Sequence, residues 1–117
     1  MIAASLDQQV RTRARDRCEY CLMHQALQGA TFHIEHVVPK SRDGDTNLAN
    51  LALACPGCNL HKSDRIEALD VITGDIVPIY DPRTCTWSEH FQIDKYVITG
   101  ITPIGRATCE LLTFNHP

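Results

Sequence analysis

No stretch of this chain approaches the ~18–20 consecutive apolar residues of a membrane-spanning helix, so none is expected. Nor is there an excess of positive charge. Eleven Lys and Arg stand against 14 Asp and Glu, a formal net charge of −3, which is not the footprint of a strongly basic nucleic-acid binder. The first residues, M-I-A-A-S-L-D-Q-Q-V-R, lack a basic start followed by a long apolar run. No secretory signal is therefore expected, and a cytoplasmic setting follows. Internal repeats and low-complexity tracts are missing as well. Hydrophobic residues make up 44% of the chain, which separates it from disordered compositions. Its 117 residues are expected to form a single domain, 1–117, with a core of its own.

The informative feature is how the cysteines are spaced. Cys18 and Cys21 stand in R-C-E-Y-C, and Cys55 and Cys58 in A-C-P-G-C-N. Between the two pairs lie 33 residues, among them H-I-E-H-V-V-P at 33–39. Two such pairs supply four thiolates, the complete tetrahedral shell of a structural zinc. Three disulfides among six cysteines are the alternative, suited to a secreted chain. The missing signal and the two tight spacings argue against it. Cys85 and Cys109 have no such partner and read as small buried hydrophobes.

Charge is unevenly spread. Residues 1–65 carry eight Lys or Arg and seven acids, whereas residues 66–117 carry three and seven. The basic residues gather at Arg11, Arg13, Arg15 and Arg17, and again at Lys40, Arg42, Lys62 and Arg65. These eight are the candidates for phosphate contact, although the four N-terminal arginines read equally well as a solvated helix face.

The pattern of elements is α+β. Ser5 as a cap, with Leu6, Val10 and Ala14 at helical spacing, predicts a helix over 5–17. F-H-I-E-H-V-V at 32–38 predicts a strand ended by Pro39, and Asn50 to Ala54 a second one. The loop between them carries an Asp-Gly turn signal. A helix is expected from about Pro56 to Leu69. This is a ββα unit, core 18–69, clipped by metal. Residues 70–117 form an α+β extension: a turn at Thr73-Gly74-Asp75, a hairpin around Asp94-Lys95, and a last helix opened by Thr102-Pro103 and running to about Leu112.

Residues 33–64 carry Glu35, three aspartates, three histidines and several asparagines near a basic cluster. Phosphodiester hydrolysis needs an activated water, a divalent cation and help for the leaving oxygen. A neutral His takes a proton near pH 7. Carboxylate and carboxamide oxygens suit Mg²⁺ or Mn²⁺.

Over residues 18–64 the chain resembles the HNH endonucleases, in the branch whose ββα-metal (His-Me finger) fold is stapled by two CxxC pairs. C-E-Y-C, I-E-H-V-V-P-K-S-R-D-G and N-L-A-N-L-A-L-A-C-P-G-C-N-L-H-K occur in the family's order. W-S-E-H-F and G-I-T-P-I-G-R-A-T resemble the tail of small bacterial members. The resemblance implies that His36 is the general base, that Glu35 stands where the family has an Asp metal ligand, and that Asn50 holds the loop and the base. Asn59 takes the third motif position and ligates the catalytic ion, with His61 as a further contributor. In a regular strand, however, Glu35 and His36 point to opposite faces, so distorted geometry is expected near 35–37. His33 reads as a surface residue, His90 as packing beside Trp87 and Phe91, and His24 and His116 have no visible partner.

The expected function is metal-dependent endonucleolytic cleavage of DNA with weak sequence preference. It would use a structural zinc and Mg²⁺ or Mn²⁺; nothing separates DNA from RNA. The alternative is a non-catalytic zinc-stapled module that binds nucleic acid or protein.

Overall fold

Leu51, Ala52, Leu53 and Ala54 are all buried, and the rest of the molecule is built around this short strand. The computed structural model describes residues 2–115; His116 lies outside them. L-A-L-A is apolar at every position, as suits a strand covered on both faces. It pairs antiparallel with His33–His36, His33 opposite Ala54 and His36 opposite Leu51. We call these strands β1 (His33–His36) and β2 (Leu51–Ala54). The ladder continues past β1, since the Val37 N–H donates to the Asn50 carbonyl at 2.9 Å. The distortion expected near 35–37 is therefore absent.

Helix α1 (Ala4–Ala14) packs against β2. It starts and stops earlier than the sequence predicts. Ala3 is the N-cap, without a side-chain cap, and Ser5 lies inside the helix, where Gln9 Nε2 donates to its carbonyl at 3.3 Å. The helix ends because Arg15 and Asp16 both adopt left-handed backbone, with φ 56° and 57°. Their N–H groups close back on Thr12 and Arg11. The freed residues then turn into the first cysteine pair.

Helix α2 (Pro56–Lys62) follows β2 directly. It stops seven residues short of the expected end. Ser63 breaks it, with φ 50° and ψ −127°, and the chain re-enters as a strand. Strand β3 (Glu67–Leu69) pairs antiparallel with β4 (Ile76–Pro78). Their turn runs through Gly74 at φ 80°. A helical turn, α3 (Trp87–His90), leads into the hairpin of β5 (Phe91–Asp94) and β6 (Val97–Gly100). Helix α4 (Pro103–Leu112) closes the chain. The Thr102 hydroxyl caps it, accepting from the Gly105 N–H at 3.0 Å. With its four cysteines positioned for zinc, the fold is an α+β, zinc-stapled ββα-metal core carrying an N-terminal helix and a C-terminal hairpin-plus-helix extension.

One buried cluster joins these parts, taking Val10 from α1, Leu51 and Leu53 from β2, Phe91 and Ile98 from the hairpin, and Leu112 from α4. Two polar ties add to it. Arg106 on α4 holds Asp70 in the β3–β4 turn through two N–H groups, at 2.9 and 2.8 Å. This keeps the Asp70 carboxyl below its ordinary range. His90 packs edge-on to Tyr80, with ring centroids 5.9 Å apart, and bonds Thr102.

Candidate metal centre and active site

The turn after α1 brings Cys18 and Cys21 to the start of α2, where Cys55 is the N-cap and Cys58 lies in the first turn. Their four sulfurs all lie within 4.8 Å of one another. Cys21 Sγ and Cys55 Sγ are 3.8 Å apart. A tetrahedron of sulfurs ~2.3 Å from a zinc ion has edges of ~3.8 Å, so both the donor set and its spacing fit that ion. The N–H groups of Cys21 and Cys58 face Cys18 Sγ and Cys55 Sγ, at 3.5 and 3.4 Å. Such donors stabilise thiolate. Hydrogen bonding from Cys18 and the other two thiols pulls the Cys55 thiol far below its usual range.

Beside this staple, β1 presents the half-buried His36 on the face opposite Glu35. The Nε2 atom of His36 lies 2.8 Å from the Thr46 hydroxyl. Partial burial, Lys40 and Lys62 hold its pKa below the ordinary 6.5. The neutral imidazole, able to accept a proton, is thus the form present at neutral pH.

The loop carrying Thr46 is pinned by Asn50. The carboxamide oxygen accepts from Val38 N–H at 2.9 Å. Its Nδ2 donates to the Val38 and Asp45 carbonyls at 3.0 and 2.8 Å. Gly44 sits inside this loop because a Cβ there would overlap the Val38 carbonyl oxygen. Hence the Asp-Gly pair serves close approach of backbone to backbone.

Comparison with known proteins bears on this constellation. The family model described as HNH endonuclease matches residues 18–65, the span from the first cysteine to just past α2. Residues 18–65 form an HNH endonuclease domain. A similar protein is the Septu protein PtuB of Bacillus thuringiensis, 25% identical over 105 residues; the match covers 88% of this chain and 38% of that protein. The chain thus spans well under half the length of this relative. No solved structure gives a significant match.

Within the HNH domain, three expected ligands and contacts need correction. Glu35 does not share a site with His36. Its carboxylate is buried, 6% exposed, and pairs with Lys62 Nζ at 3.2 Å. Tyr20 donates its hydroxyl to the other oxygen. Burial pushes the Glu35 carboxyl up, against the pull of Lys62 and Tyr20. The regular pleat is the cause: adjacent residues of a strand face opposite ways.

His61 also lies elsewhere. It lines a cavity with Cys21, Cys58 and Phe114, on the zinc and α4 side of α2. Asn59 is placed differently. It stands one turn before Lys62, so the two share a helix face, and Lys62 is the residue that meets β1. Among the described residues, the four cysteines are the only cluster of three or more His, Cys, Asp or Glu side chains close enough to hold an ion. A second ion would therefore take few protein ligands here, as Mg²⁺ does when substrate phosphates and water complete its shell.

The basic candidates divide. Lys62 is 2% exposed and inaccessible to phosphate. Arg13 is a clamp, donating to the Leu48 carbonyl at 2.8 Å and to that of Leu51. Arg11 pairs with Asp7 at 2.7 Å, Arg17 reaches the Leu22 carbonyl, and Arg42 reaches the Asp64 carbonyl. Arg15, Lys40 and Arg65 are exposed without such partners among the described residues.

Sequence reasoning missed Tyr20 and Thr46, whose partners lie 15 and 10 residues away. It also missed the part-buried Glu19–Arg83 pair. His24, read as partnerless, caps a short 3-10 turn by accepting the Ala26 N–H at 3.0 Å.

Proposed function

We propose that this protein is a divalent-metal-dependent endonuclease that hydrolyses DNA phosphodiester bonds, with His36 as general base. The observation that carries the reading is the state of His36: half-exposed, hydrogen-bonded through Nε2, and biased to the neutral form beside Lys40. In this reading Thr46 orients the ring, and His36 accepts the proton of the attacking water. Asn50 keeps the 38–50 loop at the distance that makes this contact. Asn59 would hold Mg²⁺ or Mn²⁺ on the α2 face toward β1. Such an ion supplies neutralisation of charge on the phosphate and the departing oxygen. Lys40, Arg65 and Arg15 offer accessible positive charge for the nucleic-acid backbone. The chain works as one domain, with residues 70–117 buttressing the HNH unit.

The test is incubation of supercoiled plasmid with zinc-loaded protein and Mg²⁺ or Mn²⁺, beside His36→Ala. Metal-dependent nicking by the parent alone supports the proposal. No cleavage of DNA or RNA with retained binding would mark a zinc-stapled binding module instead.

A further inference from the structure

A lysine with 2% exposure needs a reason, because Lys is almost never fully buried unless paired. Stability is a weak one. Replacing a buried ion pair by apolar residues of similar volume is often neutral or stabilising. The contacts of Lys62 point to geometry instead. Its ammonium has three N–H groups, and three acceptors surround it: Glu35 Oε2 at 3.2 Å, the Val37 carbonyl at 2.9 Å and the His36 carbonyl at 3.4 Å. Two of the three are backbone groups of His36 and its neighbour. The third, Glu35, is tied to Tyr20, which is fully buried between Cys18 and Cys21.

We propose that Lys62 is a positioning residue for His36: it grips the His36 and Val37 carbonyls and, through Glu35 and Tyr20, ties the base-bearing strand to the zinc turn. The proposal rests on the reading of His36 as general base. The peptide units after His36 are then held from two sides. Val37 N–H is on Asn50 O and Val38 N–H on Asn50 Oδ1, both at 2.9 Å, while the carbonyls are on Lys62. Fixing both units leaves the imidazole only its side-chain torsions, and the Thr46 bond restrains those. Neither β1–β2 pairing nor the loop alone would hold the carbonyls. The four-cysteine cluster, which flanks the backbone of Tyr20, is thereby connected to the His36 face without touching it.

The experiment compares the zinc-loaded full chain with Lys62→Met/Glu35→Gln, which removes the grip without stranding a buried charge, and with Glu35→Gln alone, which leaves Lys62 on the two carbonyls. Amide hydrogen exchange is read at Val37 and Val38, with Leu53 in the same hairpin as the internal standard. Plasmid cleavage gives kcat and KM. In the double variant, exchange at Val37 and Val38 is expected to quicken by about tenfold or more while Leu53 stays within about threefold. With it kcat should fall by roughly tenfold or more at a nearly constant KM, as for loss of an interaction that matters only in the transition state. Glu35→Gln alone leaves the ammonium on both carbonyls but without its counterion, so it should lower the urea midpoint while exchange at Val37 and Val38, relative to Leu53, stays within about threefold of the parent and kcat falls less than in the double variant. The proposal is overturned by unchanged exchange and kcat in the double variant. It is equally overturned by faster exchange spread evenly along the hairpin, by a double variant that cannot fold, or by Glu35→Gln as damaging as the double change. A parent that cleaves nothing would refute the nuclease reading, and exchange at Val37 and Val38 would still decide this one.

Discussion

Glu35 and His36 are adjacent in the chain and stand on opposite faces of β1, the carboxylate buried on Lys62 and Tyr20, the imidazole turned to Thr46. The Glu-His pair is thus a buried charge lock and a half-exposed imidazole, divided by a single pleat.

Removing one partner of that lock should be costly. Glu35→Ala strands the Lys62 ammonium in the core, and breaking a buried pair this way costs about 3–5 kcal/mol. Urea unfolding should show a loss of that size. An unchanged midpoint together with weakened Mg²⁺ or Mn²⁺ dependence would return Glu35 to a ligand role.

Zinc should set whether the core exists. Structural zinc sites contribute roughly 10–16 kcal/mol of apparent binding energy, against a whole-domain stability of ~5–15 kcal/mol. Cys58→Ala, or chelation of the parent, should unfold the β1–β2–α2 core as seen by circular dichroism. Metal analysis of folded protein should find one zinc per chain, and finding none would refute the staple.

His36→Ala should keep zinc and fold while lowering cleavage by roughly 10²–10⁴-fold, the usual loss of a general base. The pH profile carries a further signature. Burial and neighbouring cations lower the His36 pKa, so activity should fall only as pH drops below the ordinary 6.5. Lys40→Gln removes one of those cations and makes protonation easier. The acidic limb of kcat, measured at saturating DNA, should move to higher pH. A shift in the other direction would exclude Lys40 as a neighbour of the base.

The loop has its own weak point. In Gly44→Ala the new methyl overlaps the Val38 carbonyl, the group to which Asn50 Nδ2 also donates. Both Gly44→Ala and Asn50→Ala should lower kcat by about tenfold or more through misplacement of Thr46 and His36. Zinc content should not change. Full activity in Gly44→Ala would mean the loop is free to move aside.

Charge reversal should separate clamps from contacts. Lys40→Glu with Arg65→Glu should weaken DNA binding about equally across sequences and flatten its dependence on salt. Arg13→Glu should instead lower Tm, because its guanidinium braces the Leu48 and Leu51 carbonyls. Equal effects on affinity from all three would place the nucleic acid across α1.

What could be read from the sequence was local chemistry. Cysteine spacing, the turn at Asp94-Lys95 and the Thr102-Pro103 cap each involve residues a few positions apart, and each stands where expected. What could not be read depends on partners far along the chain. The break at Ser63 goes with β3 finding β4. Arg13 looked like a surface charge because its acceptors lie 35 and 38 residues away. Lys62 looked solvated for the same reason, its carbonyl partners lying 26 and 25 residues back. The alternation of strand faces did warn that Glu35 and His36 diverge. The regular ladder resolved that conflict in favour of the pleat.

The staple has one more consequence. The two cysteine pairs sit on either side of the exposed 40–47 segment, and the strands they flank are paired to each other. Backbone continuity across that segment is then redundant as a tether. A protease that nicks it should yield two fragments, one carrying β1 with Cys18 and Cys21 and the other β2 and α2 with Cys55 and Cys58, that migrate together under native conditions and part when zinc is chelated. The protein is, in effect, already divisible into complementary halves joined by a metal.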